Sequence, residues 1–167
     1  MATSFCLQRR ATQLHLLDVE NLLGTPWFTS QAVADLRQIY DGISGAAMPA
    51  HYLLGTSAAA NLVEAGLGWG QGQLVFARGK DGAERAILAE MTIAGAARYD
   101  EVVIGSGDGI FTEFAAALQS VGVGVRVVAR KGSLSKALSL AVRDVRFLPE
   151  AHLGKGAGAS EPLHVGA

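Results

Sequence analysis

Three carboxylates stand where apolar runs give way to helical patterns. Asp18 follows Leu16-Leu17, with Asn21 three positions on. Glu84 closes the stretch Arg78-Gly79-Lys80-Asp81-Gly82-Ala83-Glu84, ahead of Ile87, Leu88 and Met91. Asp108 sits in Gly105-Ser106-Gly107-Asp108-Gly109, directly after Val102-Val103-Ile104. Brought together, three like charges raise one another's pKa and strain a fold. A hard divalent cation relieves the repulsion, and Mg²⁺ takes such oxygen donors at about 2.0–2.1 Å while keeping several waters. A cation so held generates hydroxide and braces the leaving oxygen in phosphodiester cleavage. No His or Cys cluster competes for the role: His15, His51, His152 and His164 are scattered, and Cys6 is the single cysteine.

Each acid also has an ordinary local reading. Asp18 and Asn21 suit a turn in which Asn21 bonds its own loop. Asp81 with Glu84 three residues later makes a capping box, with Asp in place of Ser or Thr. Asp108 suits a plain helix N-cap. Glu84 has a second property, since Ile87, Leu88 and Met91 follow at i+3, i+4 and i+7 and place it on the inward stripe of its helix. A carboxylate there is costly unless it is paired or binds a cation. The glycines around Asp108 resemble a phosphate loop only weakly, because a dinucleotide fingerprint belongs after the first strand of its unit. The enclosed acid would also repel phosphate.

The elements that must carry these acids are visible as short apolar runs alternating with helical patterns. The predicted strands are Gln13–Leu17, His51–Leu54, Gln73–Ala77, Glu101–Ile104, Val125–Ala129 and Val145–Leu148. The predicted helices are Ser30–Ile43, Ser57–Ala65, Gly82–Tyr99, Gly109–Val121 and Ser133–Val142. Continuous runs such as Val125 to Val128 suit strands buried on both faces, as in a parallel sheet covered by helices. The order therefore predicts an open α/β sandwich, with its site beyond the carboxyl ends of the strands. If the first and fourth strands are neighbours, Asp18 and Asp108 face each other across that crevice.

Composition agrees with one such domain of 167 residues. Hydrophobic residues are 50% and charged residues 17%, which excludes a disordered chain. The net charge of −1 excludes a globally basic nucleic-acid coat but not a local basic groove. A lone cysteine cannot form an intramolecular disulfide, so a reduced, cytoplasmic setting is the expectation. The first residues lack the apolar core of a secretory signal. No apolar run nears the ~18 residues of a membrane span. Residues 1–12 read as a flexible arm, 13–149 as the folded domain, and 150–167 as a disordered Gly-, Ala- and His-containing tail.

The segments Leu17-Asp18-Val19-Glu20-Asn21-Leu22, Gly79-Lys80-Asp81-Gly82-Ala83-Glu84 and Ser106-Gly107-Asp108-Gly109-Ile110-Phe111 resemble the NYN domain family of PIN-like nucleases. The closing stretch from Gly122 to Leu148, with Ser133-Leu134-Ser135 before the last helix, is similar too. The resemblance spans about residues 13–148. It implies a Rossmann-like three-layer sandwich with a mostly parallel sheet in order 3-2-1-4-5. It further implies dependence on Mg²⁺ or Mn²⁺ and endonucleolytic cleavage of RNA. On that basis Asp18, Glu84 and Asp108 are the catalytic and metal-binding acids, and Asn21 shapes the first loop. Two positions depart from the family pattern. Glu84 replaces the usual Asp, and Ile110 replaces an acid that many members carry.

RNA also needs basic or stacking groups near the acids. Arg78, Lys80 and Arg85 flank Glu84, and Arg130, Lys131, Ser133, Ser135 and Lys136 follow the fifth strand on the same loop side. Asn21, Ser106, Arg130 and Ser133 are the expected substrate contacts. Trp27 and Phe28 either stack on a base or pin their loop to the core. The first reading is thus a metal-dependent endoribonuclease. The second is a non-catalytic RNA-binding module, motivated by Ile110. A third is a nucleotide- or phosphate-handling enzyme built on Ser106–Gly109. Small apolar helix faces are compatible with a homodimer.

Overall fold

The computed structural model describes residues 12–46 and 49–150. Its centre is a six-stranded, all-parallel sheet in the order β3-β2-β1-β4-β5-β6. The strands are β1 (Gln13–Asp18), β2 (Ala50–Thr56), β3 (Gln73–Phe76), β4 (Glu101–Gly105), β5 (Gly124–Arg130) and β6 (Asp144–Leu148). The helices are α1 (Val19–Leu23), α2 (Ser30–Ser44), α3 (Ala59–Trp69), α4 (Gly82–Glu90), α5 (Ile93–Ala96), α6 (Thr112–Ser120) and α7 (Lys136–Ala141). A 3₁₀ turn, Gly109–Phe111, leads into α6. This is the Rossmann-like three-layer arrangement expected, and the sixth strand extends the order beyond β5.

Every residue of β1 is buried, because strands flank it on both sides and helices cover both faces. Alternation along the strands divides the core in two. Leu14, Leu16, Leu53, Val102, Ile104 and Val127 face Ile87 of α4, Phe114 and Leu118 of α6, and Leu138 of α7. Leu17, Leu54, Val103 and Val128 face Leu22 of α1, Val33, Leu36 and Tyr40 of α2, and Trp69 of α3.

Three local features differ from the sequence reading. The turn after β1 is a short helix, α1, capped by Asp18 and closed by Gly24 at φ 75°. The long helix predicted over Gly82–Tyr99 is interrupted: Met91 is extended, and the Thr92 hydroxyl accepts from the Gly95 amide at 3.1 Å to start α5. A side-chain oxygen that bonds the backbone ahead of it favours a new helix start over continuation. Thr12, assigned to the arm, is tied down, since its amide and hydroxyl both donate to Asp100 Oδ2, at 2.7 and 3.0 Å. The remainder of the arm and residues 151–167 lie outside the described residues.

Candidate active site

The chain lays β2 and β3 on one side of β1, then returns to lay β4 on the other. The carboxyl ends of β1 and β4 therefore flank the point where strand order reverses, the usual ligand crevice of such sheets. Asp18 is the last residue of β1 and is 2% exposed. Its Oδ1 accepts from the Asn21 amide at 3.0 Å.

Glu84 reaches Asp18 from α4. In the sheet register Asp18 lies beside Gly55 of β2. A Cβ on Gly55 would stand 2.7 Å from both the Ala83 carbonyl and the Ile87 side chain. The absent side chain lets the first turn of α4 settle onto the strand next to Asp18. Glu84 is then 7% exposed, close enough for its carboxylate to act on that of Asp18. The capping-box alternative is not realised. Asp81 adopts φ 54°, the only positive φ on a non-glycine among the described residues, and its side chain caps nothing. Asp81 lies in the tight Gly79–Gly82 turn, closed by the Gly82 amide on the Gly79 carbonyl at 3.1 Å, and a Cβ on Gly82 would collide with the Ala77 carbonyl.

The pairing changes the protonation of Asp18. Burial first, then the charge of Glu84 and the hydrogen bond to it, push the Asp18 carboxyl up to about 9. The Asn21 amide opposes the rise and Glu20 adds to it. At neutral pH the Asp18 carboxyl therefore keeps its proton. This is the relief two carboxylates find without a cation.

Asp108 is not gathered with them. Its Oδ1 accepts from the Ile110 amide at 2.9 Å, so it caps the turn before α6. Among the described residues, no three His, Cys, Asp or Glu side chains are placed to hold one ion. The three-acid cluster expected of Asp18, Glu84 and Asp108 appears as a pair plus a cap. Ile110 packs against the core on the α6 side.

The expected substrate contacts act mainly as braces. The Asn21 side chain bonds across to the Ser106–Phe111 segment, while its amide bonds within its own loop: its Oδ1 accepts from the Gly107 amide at 3.1 Å. Arg130 Nε donates to the Asn21 carbonyl at 2.7 Å. Ser106 is fully buried and its hydroxyl accepts from the Asp108 amide at 3.2 Å, so its side chain is not offered to a substrate. The Ser133 hydroxyl donates to the Arg130 carbonyl at 3.1 Å, and its own carbonyl occupies the place a Gly107 side chain would take. Arg78, Lys80, Arg85, Lys131 and Lys136 are exposed, with Arg85 donating to the Arg78 carbonyl at 2.8 Å. Phe28 is buried and pins its loop to the core, while Trp27 is half-buried.

Sequence reading missed Gly55, Ser57 and Asn61. Glu20 accepts from the Ser57 amide at 2.8 Å, the Ser57 hydroxyl at 2.5 Å and Asn61 Nδ2 at 2.9 Å. Only the position of Glu20, two residues beyond Asp18, was a local signal.

Comparison with known proteins adds the fold alone. No protein-family profile matches the chain, and no curated protein does. A crystal structure of a protein of unknown function from Vibrio parahaemolyticus is similar, with a TM-score of 0.55 and 16% identity. The match covers 90% of this chain and 98% of that one. Among the described residues, no helix is long and apolar enough to cross a membrane.

Proposed function

We propose that this chain is a metal-dependent endoribonuclease whose centre is the Asp18–Glu84 pair. The observation that carries the reading is two carboxylates buried at the strand-order reversal, Asp18 on the end of β1 and Glu84 on the helix turn that Gly55 admits beside it. Buried carboxylates are hard oxygen donors, and Mg²⁺ or Mn²⁺ is commonly held by one or two such groups with waters and substrate phosphate. Asp18 and Glu84 would hold the ion, which supplies Lewis acidity to a phosphodiester oxygen and a lowered pKa to water.

The chain's own residues do the rest. Asp18 would release its proton to solvent on holding a cation. Asn21 and Arg130 keep the loops after β1, β4 and β5 in one arrangement through the Gly107 and Asn21 backbone. The exposed Arg78, Lys80 and Lys131 supply charge for an RNA backbone. The test is cleavage of mixed single-stranded and hairpin RNA with Mn²⁺, Mg²⁺ or EDTA, with Asp18→Asn beside the wild type. Cutting that needs both the metal and Asp18 is the expected result. Cutting that survives EDTA removes the pair from the mechanism.

A second reading, an RNA-binding module without cleavage, is favoured by the engagement of Asp108 and Ile110 in structural roles. It gives RNA binding that is indifferent to EDTA and no products.

A further inference from the structure

We propose that Glu20 is a positioning residue that sets the approach of Glu84 to Asp18, acting through Ser57. The inference rests on the Asp18–Glu84 pair being the working centre. Asp18 and Glu84 ride on different elements, the end of β1 and the first turn of α4. The two side chains meet only while those elements keep one separation.

Glu20 lies in α1, immediately beyond Asp18, and is half-buried. Both its oxygens are engaged: one accepts from the Ser57 amide and Asn61 Nδ2, the other from the Ser57 hydroxyl. Ser57 directly follows β2, two residues after the Gly55 that admits α4. It also abuts α4 itself, since a Cβ on Gly82 would lie 3.2 Å from Ser57 Cβ. The connection thus runs from Asp18 through α1 to Glu20, then to Ser57, Gly82 and Glu84. Asn61 is 2% exposed and donates as well to the Pro26 carbonyl at 2.8 Å, which ties the Trp27 loop to the same point.

An exposed acid would need none of this. A carboxylate receiving three hydrogen bonds from a turn remote in sequence is a bracket. It is placed where a change of angle alters the separation of two other carboxylates. Residues that orient ligating groups typically cost 10–100-fold in metal affinity when removed.

The experiment measures Mn²⁺ affinity by calorimetry on wild type, Glu20→Ala, Ser57→Ala and the double variant, with amide hydrogen exchange on each. The expected result is a Mn²⁺ affinity lowered about tenfold or more in each single variant. The double variant should lose little beyond that, because both act through one link. Exchange should rise at Ser57 and the first turn of α4 and stay unchanged in β4 and β5. Glu20→Gln, which keeps an acceptor for the Ser57 amide, should recover most of the affinity. Wild-type Mn²⁺ affinity in Glu20→Ala overturns the proposal, and so does unchanged exchange at the start of α4. If the wild type itself takes no Mn²⁺ while exchange responds as expected, the metal reading fails and the positioning of α4 by Glu20 stands.

Discussion

Gly55 lies in register with Asp18 on the adjacent strand, and the space where its side chain would be is what brings Glu84 to Asp18. The catalytic geometry proposed here therefore depends on a residue with no functional group. Gly55→Ala would press a methyl into the Ala83 carbonyl and Ile87. Overpacking of this kind costs about 1–3 kcal/mol. The expected outcome is a lower Tm together with Mn²⁺ affinity reduced more than the loss of stability explains. Thermal melts with and without Mn²⁺ check it, and an unaltered metal response would show that α4 approaches Asp18 by another route.

Asp18 sets a direction for the pH dependence of folding. Its carboxyl rises from 3.8 to about 9 on folding, so between those values the native chain holds a proton that the unfolded chain has released. Stability from this group is fully present below 3.8 and is lost as pH rises through 9. Asn at this position does not titrate. Asp18→Asn should melt higher than wild type at pH 8 and show a flatter Tm profile from pH 5 to pH 9. A variant that melts lower than wild type at pH 8 would mean that Asp18 is ionised in the native protein.

The same proton competes with a cation. Metal binding to a protonated carboxylate must release the proton, so affinity climbs with pH until the group is ionised. Mn²⁺ affinity should rise steeply, by up to about tenfold per pH unit, from pH 6 toward pH 9. Calorimetry in buffers of different ionisation enthalpy should show protons released on binding at pH 7. A flat profile with no proton release would place the cation elsewhere.

How much of this was visible in the sequence differs from part to part. A mostly parallel sheet was legible because continuous runs such as Val102-Val103-Ile104 admit few other packings, and every strand pair in the structure is parallel. The inward aim of Glu84 was legible from its spacing to Ile87. The helix α1 was not, because five residues are too few to display a period, so Val19–Leu23 read as loop. The break at Met91–Thr92 was also hidden, since the apolar spacing runs on through it. The partners of Glu20 left no local trace: Asn61 reads as an ordinary polar helix position until Pro26 and Glu20 are folded against it. The engagement of Asp108 as a cap rather than as a ligand was not legible either, as strand order alone places it at the same crevice as the pair.

Asp108 gives the sharpest division between the sequence reading and the structure. As one of three ligands, it should be indispensable to cleavage. As the cap on the Ile110 amide, it should matter through stability. Asn caps as well as Asp does, whereas Ala loses the bond at a cost of about 1 kcal/mol. Asp108→Asn should keep the wild-type Tm and stay within about tenfold of wild-type cleavage, while Asp108→Ala should melt lower by several degrees. Asp18→Asn, by contrast, should cut nothing. If Asp108→Asn is as inert as Asp18→Asn at an unchanged Tm, then Asp108 enters the reaction directly. Its capping bond would then have to open when metal or substrate arrives.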